Sequence, residues 1–438
     1  MQRCGRGQSA GFFGTVVSGG EQTDSGISDY TDLLSLTCAV FQETGKFYSK
    51  RSKLYEEGLE LLLVQWDKSR EVERNEVYRD LSVERKLELL SYVAVKKFEQ
   101  EQYVLFEQEE LEGYIGEFLG IERRESQGVL RAIASVHGLL IERSYKVWSF
   151  SHLTFQEYLV AKWLMENQQW QGLIDDIGNQ KFHQVFLLLA SILSASDSEF
   201  FFKLIQNYLN KLVRNNKRIQ GFLTWAKNKA DSIKDNRYKK SAIRAFYVYF
   251  AQINLSCIQE LLHPEKKNLA YTIDSNFRRD VAISYKEYTK DGQFLFSFSN
   301  DIAIDVAFSL LFDDDIALPF AIKQMQSIFE LELAPQFKLE LQFLIHLLPN
   351  KINDWNQKEW KNWLNKMRHS MINNCDIGQE IKFTNSQKKI LNKYYNGNFL
   401  LVNCLYASSY SLEISQQIEN ALLLPIAEIE KRKRKSIE

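Results

Sequence analysis

The alternation of hydrophobic and polar residues changes its period between residues 147 and 163. Trp148 and Phe150 alternate with serines, which is typical of a strand with one buried face. The apolar residues that follow recur at helical spacing, namely Phe155, Tyr158, Leu159 and Trp163. The period changes at His152, so the pattern predicts a short strand that runs directly into a helix, with His152 at its first turn.

The residues before this junction predict a compact domain of known topology. Helical spacing predicts helices over residues 33–43, over a long segment that Ser49 caps, and after Ser82. A strand at 103–106 is followed by helices at 107–119 and 125–137, and Gly138 ends the second of these. Residues 139–143 and 146–151 read as a hairpin. The order helix, strand, helix, helix, hairpin is that of a winged helix.

After residue 167 the pattern predicts helix upon helix. Residues 182–194 are almost all apolar and too few to span a bilayer, so they indicate a helix that is buried on most sides. We expect Asp197 or Ser198 to cap the next helix, and Trp355, Trp360 and Trp363 to form an aromatic core face. The predicted fold is mainly α: a helical domain and a winged helix, then a solenoid-like helical array.

Composition separates residues 1–30 from the rest of the chain. They contain seven of the 20 glycines and show no helical or strand period, so we expect them to be disordered. The predicted domains are a disordered segment at 1–30, a small helical domain at 31–75, a winged helix at 80–165, a helical region at 166–260 and a C-terminal helical module at 261–438.

The charge and the cysteine content limit the classes of function that this protein can have. The 55 lysines and arginines nearly balance 56 acidic residues, so no global field attracts nucleic acid or an anionic membrane. The five cysteines are scattered without a CxxC pair, which favours reduced thiols and no metal site. We therefore expect a cytoplasmic protein that has no membrane span and no bound metal.

His152 is the candidate binding residue. The first turn of a helix has amide groups without partners and the positive end of the macrodipole, which together favour an anion such as phosphate. A lone histidine at this position can instead be a packing or capping residue. The residue type and the predicted helix start leave both interpretations open.

The residues around His152 resemble a known family. The run from Ser149 to Leu159, preceded by residues 137–143, is similar to the winged-helix segment of bacterial and cyanobacterial NACHT-type signal-transduction NTPases of the STAND class. The resemblance extends from about Leu33 to the C-terminus, where residues 385–426 are similar to a C-terminal helical module. It implies that His152 contacts the β-phosphate of ADP and holds the closed, inactive state.

The same resemblance places an NTPase core before Leu33, but the sequence contains no Gly-x4-Gly-Lys-Ser/Thr. The family usually has Asn-Pro where this chain has Thr31-Asp32. Residues 302–315 imitate a Walker B strand, yet Walker B carboxylates act only opposite a P-loop. We therefore expect no catalytic residue, no cofactor (ATP or ADP only in full-length relatives) and a truncated or frameshifted gene.

The sequence predicts a regulatory, sensor and interaction protein of bacterial signalling or phage defence. Protein partners or self-association are expected, and nucleic acid is not. The alternative is a DNA-binding winged-helix regulator, but residues 125–137 offer one arginine and no lysine. The basic residues 431–435 are interpreted as a solvated helix end.

Overall fold

The computed structural model describes residues 27–69, 80–233, 237–250, 268–280, 333–349, 354–375, 383–408 and 412–435, together with single residues between 78 and 329. Residues 1–26 and residues 302–315, which imitate a Walker B strand, lie outside these ranges. The chain forms two compact units, one that ends at Phe201 but also includes Ala407 and Ser408, and one that begins at Phe202.

The first unit opens with two helices that pack together, α1 (Ile27–Thr44) and α2 (Arg51–Ser69). Gly58 allows their close approach, because a Cβ at this position would lie 2.6 Å from Cδ1 of Leu36. Leu54, Tyr55 and Leu59 are buried, as predicted. Helix α1 begins at Ile27, so the last four residues of the segment predicted to be disordered are helical.

A winged helix follows, in the predicted order. Its elements are α3 (Val83–Phe98), β1 (Phe106–Glu107), α4 (Gln108–Leu119), α5 (Arg123–His137), β2 (Leu140–Ser144) and β3 (Val147–Phe150). The three strands are antiparallel in the order β1-β3-β2. Phe106 pairs with Trp148, and Leu140 pairs with Phe150. This register places Phe106, Leu140 and Phe150 in the core.

Local sequence signals set the boundaries of these helices. Ser82 caps α3 by accepting a hydrogen bond from the amide of Arg85 at 3.2 Å. Gly120 and Gly138 end α4 and α5 in the left-handed conformation, which glycine adopts without a steric penalty. Helix α5 begins two residues earlier than predicted, at Arg123, because Glu122 and Glu125 form a capping box there.

The unit continues through α6 (Leu153–Glu166), two 3-10 turns (Trp170–Asp176 and Gln180–Phe182) and α7 (His183–Ile192). Helix α6 packs against α3 and α7, and helix α2 contacts α3, α5, α6 and α7. In the second 3-10 turn, Lys181 lies over the rings of Phe98, Tyr103 and Phe182 at 4.8 to 5.3 Å. Its Nζ donates to the carbonyl of Gln100 at 2.7 Å.

Helix α8 (Ala195–Arg214) leads into the second unit. Ser194 lies at its start and accepts a hydrogen bond from the Asp197 amide at 3.2 Å, so the prediction of Asp197 or Ser198 as the cap was wrong. The helices that follow are α9 (Lys217–Ser232), α10 (Lys240–Phe250), α11 (Leu269–Ile273), α12 (Pro335–His346), α13 (Gln357–Cys375), α14 (Asn385–Ala407), α15 (Leu412–Ala421) and α16 (Ile426–Lys435).

Two contacts show how the second unit is held together. Trp363 is buried and donates from Nε1 to the carbonyl of Leu344 at 2.8 Å, which joins α13 to α12 and fits the predicted aromatic core. Arg244 is buried and donates to the carbonyls of Leu422 and Asn420 at 2.9 and 2.8 Å. Burial lowers the pKa of Arg244 to about 10, so the guanidinium stays charged at neutral pH and completes the end of α15.

The described part of the chain is mainly helical, with one small sheet, and the predicted fold class is confirmed. No helix in the described ranges is long and apolar enough to cross a membrane. The individual domain boundaries given above stay predictions.

Candidate functional site

His152 lies at the junction that the sequence predicted. It is the N-cap residue of α6, with an extended backbone (φ −134°, ψ 136°), and its side chain makes no capping hydrogen bond. The imidazole is half-buried, and its ring centre lies 5.7 Å from that of Phe155. The first turn of α6 contains no acidic residue. An anion at this helix start would therefore meet amide donors and an imidazole, with no carboxylate from that turn to repel it.

The helix behind His152 is fixed by an aromatic cluster. Phe155 and Tyr158 are buried, and the centres of both rings lie 6.0 Å from that of Tyr55 on α2. Burial raises the pKa of Tyr158, so its hydroxyl stays neutral. Gln156 extends the anchor by donating from Nε2 to the carbonyl of Tyr103 at 2.7 Å. His152 is thus presented on a rigid, well-packed helix.

Arg143 holds the strand that leads to His152. Its Nε donates to Oγ of Ser149 at 2.9 Å, and its Nη2 donates to the carbonyl of Ser151 at 3.0 Å. These bonds place a guanidinium beside the residue that precedes His152. Sequence reasoning did not assign Arg143 a role, because a hairpin arginine looks like any exposed cation until the strand pairing is known.

Glu157 is buried in α6 although its side chain is acidic. The residue is 7% exposed. Helix α6 packs on α2, α3 and α7, so its apolar stripe is wider than one face and includes positions that the sequence marks as polar.

The charged residues of α5 are relevant to whether this helix could bind DNA. Its early start adds Arg123 and Arg124 to Arg131 on the candidate recognition helix. Arg123 is held by Glu109 at 2.9 Å and by Glu112 at 3.0 Å. Helix α2 packs against α5 as well. Among the described residues, no group of three or more histidines, cysteines or acids could hold a metal ion.

Comparison with known families matches two parts of the chain. The model of the winged helix-turn-helix domain C-terminal to NACHT matches residues 51–164, a range that includes His152 and all but the last two residues of α6. The model of NACHT C-terminal helical domain 2 matches residues 337–425. This chain resembles the C-terminal part of a NACHT protein. By their descriptions, both matching domains are C-terminal to the NACHT core, and neither is that core.

Searches of curated proteins and of solved structures found no match. The NACHT resemblance therefore rests on the two domain families. The NACHT winged-helix match begins at Arg51, the first residue of α2, and so includes the helix that packs against α6.

Proposed function

We propose that this chain is the regulatory and interaction part of a NACHT-type signal-transduction NTPase that acts in the cytoplasm in bacterial signalling or phage defence. It does not hydrolyse nucleotide itself. The observation that carries the proposal is the match to the NACHT-associated winged helix, which contains His152 at the start of α6. The second match, in the C-terminal helices, supports the same assignment independently.

In this proposal the winged helix reports which nucleotide the NTPase core holds. His152 contacts the β-phosphate of ADP from the start of α6 and so stabilises the closed, inactive state. Arg143 keeps the β3-to-α6 junction in place through its bond to the Ser151 carbonyl. A ligand that favours the open state has to overcome the free energy of the phosphate contact. The contact therefore shifts the equilibrium between the two states towards the closed one.

The test uses these domains joined to a NACHT core, with fluorescent ADP. A charge-assisted contact from one imidazole contributes about 1 to 3 kcal/mol, so His152→Ala should weaken ADP binding about 5- to 150-fold. Leu153→Ala is the matched control, because Leu153 is the next residue along and 37% exposed. ADP affinity within twofold of wild type in a folded His152→Ala protein would remove His152 from the mechanism.

The alternative function is DNA binding by the winged helix. It requires the exposed arginines Arg124 and Arg131 on α5 to meet phosphates, since Arg123 is already paired. Arg124→Glu/Arg131→Glu should then abolish binding to random-sequence DNA at low salt. If this variant binds DNA as well as wild type does, the winged-helix alternative is wrong.

A further inference from the structure

Three segments far apart in the sequence carry a high density of positive charge. Residues 211–218 and 385–393 together contain seven lysines and arginines and no aspartate or glutamate. Residues 431–435 are all lysine or arginine. All three belong to the second unit. Against a whole-chain net charge of −1, this is a strong local excess.

Hydrogen bonds bring the first two segments side by side. Gln387 in the first turn of α14 donates from Nε2 to Oδ1 of Asn216, the N-cap of α9, at 3.4 Å. Lys393, less than two turns later, donates from Nζ to the hydroxyl of Tyr208 on α8 at 2.7 Å. Helix α14 therefore runs along the end of α8 in the opposite direction. Lys388 and Lys389 follow Gln387 in the same turn of α14, and both are exposed.

The C-terminal helix α16 joins the same surface. The amide of Ile426 donates to Oε1 of Gln220 on α9 at 2.9 Å, and Glu430 pairs with Arg214 at 2.6 Å. These contacts fix the first half of α16 beside the α8-to-α9 turn, and the basic residues continue from there. Both partners of the Glu430 pair are about half exposed, so the pair holds Arg214 only weakly.

A cleft of about 630 Å³ opens between the α8-to-α9 turn and α14. Its lining includes no acidic residue and consists of Leu212, Asn215, Asn216, Lys217, Arg218, Gln387 and Ile390. Ammonium, guanidinium and amide groups are the donors that proteins offer to phosphate oxygens. The cleft lies at the start of α9, whose dipole adds to the positive potential.

We propose that this basic cleft, lined by residues 212 and 215–218 and by Gln387 and Ile390, binds the phosphodiester backbone of nucleic acid without reading its sequence. Cations on three separate elements suit a polymer whose charge repeats along its length. The lining amides can bond phosphate and sugar oxygens but form no pattern that selects one base. This surface is separate from α5 and from His152, so it does not depend on either function considered above.

The experiment measures binding of a short random-sequence DNA duplex and its single strand to the full chain, from about 50 to 200 mM salt. Wild type should bind more weakly as salt rises. Lys388→Glu/Lys389→Glu and Lys217→Glu/Arg218→Glu should each weaken binding at least about tenfold at low salt. Each should also reduce the slope of log affinity against log salt by about 1 to 2. The matched control is Lys358→Glu/Lys366→Glu, which makes the same charge change at exposed positions on α13.

Four results would overturn the proposal. The first is that the wild-type chain does not bind DNA at about 50 mM salt, or that its binding does not weaken as the salt concentration rises. The second is equal loss of binding in the α13 control, which would mean a global charge effect. The third is that a poly-glutamate peptide binds more tightly than DNA and that the cleft variants weaken this binding as well. This result would assign the cleft to an acidic protein. Loss of DNA binding only in Arg124→Glu/Arg131→Glu would place the contact on the winged helix instead.

Discussion

At the scale of single residues, the start of α6 separates side chains that support the fold from those available for binding. Phe155 is 4% exposed and contacts Tyr55, whereas Leu153, two residues earlier, is 37% exposed. His152 lies immediately before Leu153, and its ring is half-buried. The same turn therefore offers a structural residue, a surface residue and a candidate ligand contact, which makes it suitable for matched substitutions.

We predict that Phe155→Ala lowers the free energy of unfolding by about 3 to 5 kcal/mol, because it removes a buried ring and leaves a cavity. Leu153→Ala should cost about 1 kcal/mol or less, since much of its side chain is already in water. Denaturant titration measures both. Equal costs would mean that the packed face of α6 has been assigned wrongly.

A second residue-scale prediction concerns the ion pair of Lys97 and Glu110, whose atoms lie 2.8 Å apart. Burial tends to raise the pKa of Glu110, but hydrogen bonds from Lys97 and Tyr114 outweigh it, and the pKa is lowered from 4.5. A lowered carboxyl pKa means that the pair stabilises the fold above about pH 4.5 and loses this effect as the pH falls through the folded pKa.

Glu110→Gln should therefore cost about 1 to 3 kcal/mol at neutral pH, because it leaves the buried Lys97 ammonium without its counter-charge. The cost should shrink as the pH falls through the lowered pKa of Glu110. Glu101→Gln, at an exposed position nearby, is the control and should show no such dependence. A Glu110→Gln cost that stays constant from pH 7 to pH 3 would contradict the assigned role of the pair.

At the scale of elements, one glycine within α4 and the glycine at its C-cap differ in backbone conformation but not in available space. Gly113 lies within the helix and Gly120 at its C-cap, with φ of 69°. A Cβ at either position would meet no atom within 4 Å. Any difference in stability between the two alanine variants must therefore come from the backbone conformation.

Gly113→Ala should stabilise the protein by about 0.5 to 1 kcal/mol, since alanine loses less entropy in a helix. Gly120→Ala should destabilise it by about 1 to 2 kcal/mol, because an L side chain strains the left-handed conformation. Thermal melts of the two variants make the comparison. Changes of the same sign would show that α4 does not end at Gly120 as described.

At the scale of the whole molecule, the proposed regulatory role predicts whether the isolated chain binds or hydrolyses nucleotides. Productive ATP binding needs a glycine-rich loop on the phosphates, a lysine, and a hydroxyl with a carboxylate on magnesium. The sequence contains no P-loop motif. One histidine contact contributes about 1 to 3 kcal/mol, whereas micromolar affinity requires about 8 kcal/mol.

Calorimetry should therefore detect no ADP binding tighter than millimolar by the isolated chain, and no hydrolysis should be measurable. His152→Ala should leave the melting temperature nearly unchanged, because its ring is only half-buried. Tight ADP binding would reveal a nucleotide site that neither the motifs nor the described residues indicate.

The sequence by itself determined the local features of this protein. The change of period at His152, the Ser82 cap and the Gly138 stop each depend on residues within one or two turns, so they survive in the fold. The winged-helix order and the NACHT resemblance follow from the same local signals. Helix ends were less predictable where two acids cap together, as Glu122 and Glu125 do in the capping box at the start of α5.

Only the tertiary structure decided which side chains meet across long separations in the chain. Glu157 is buried because three other helices surround α6, which no period in one segment can reveal. Arg143 bonds the Ser151 carbonyl only because β2 pairs with β3 in this register. The basic cleft combines residues more than 150 positions apart. Each basic segment alone resembles a solvated helix end, and only the contacts of α8 and α9 with α14 and α16 bring these segments near one another.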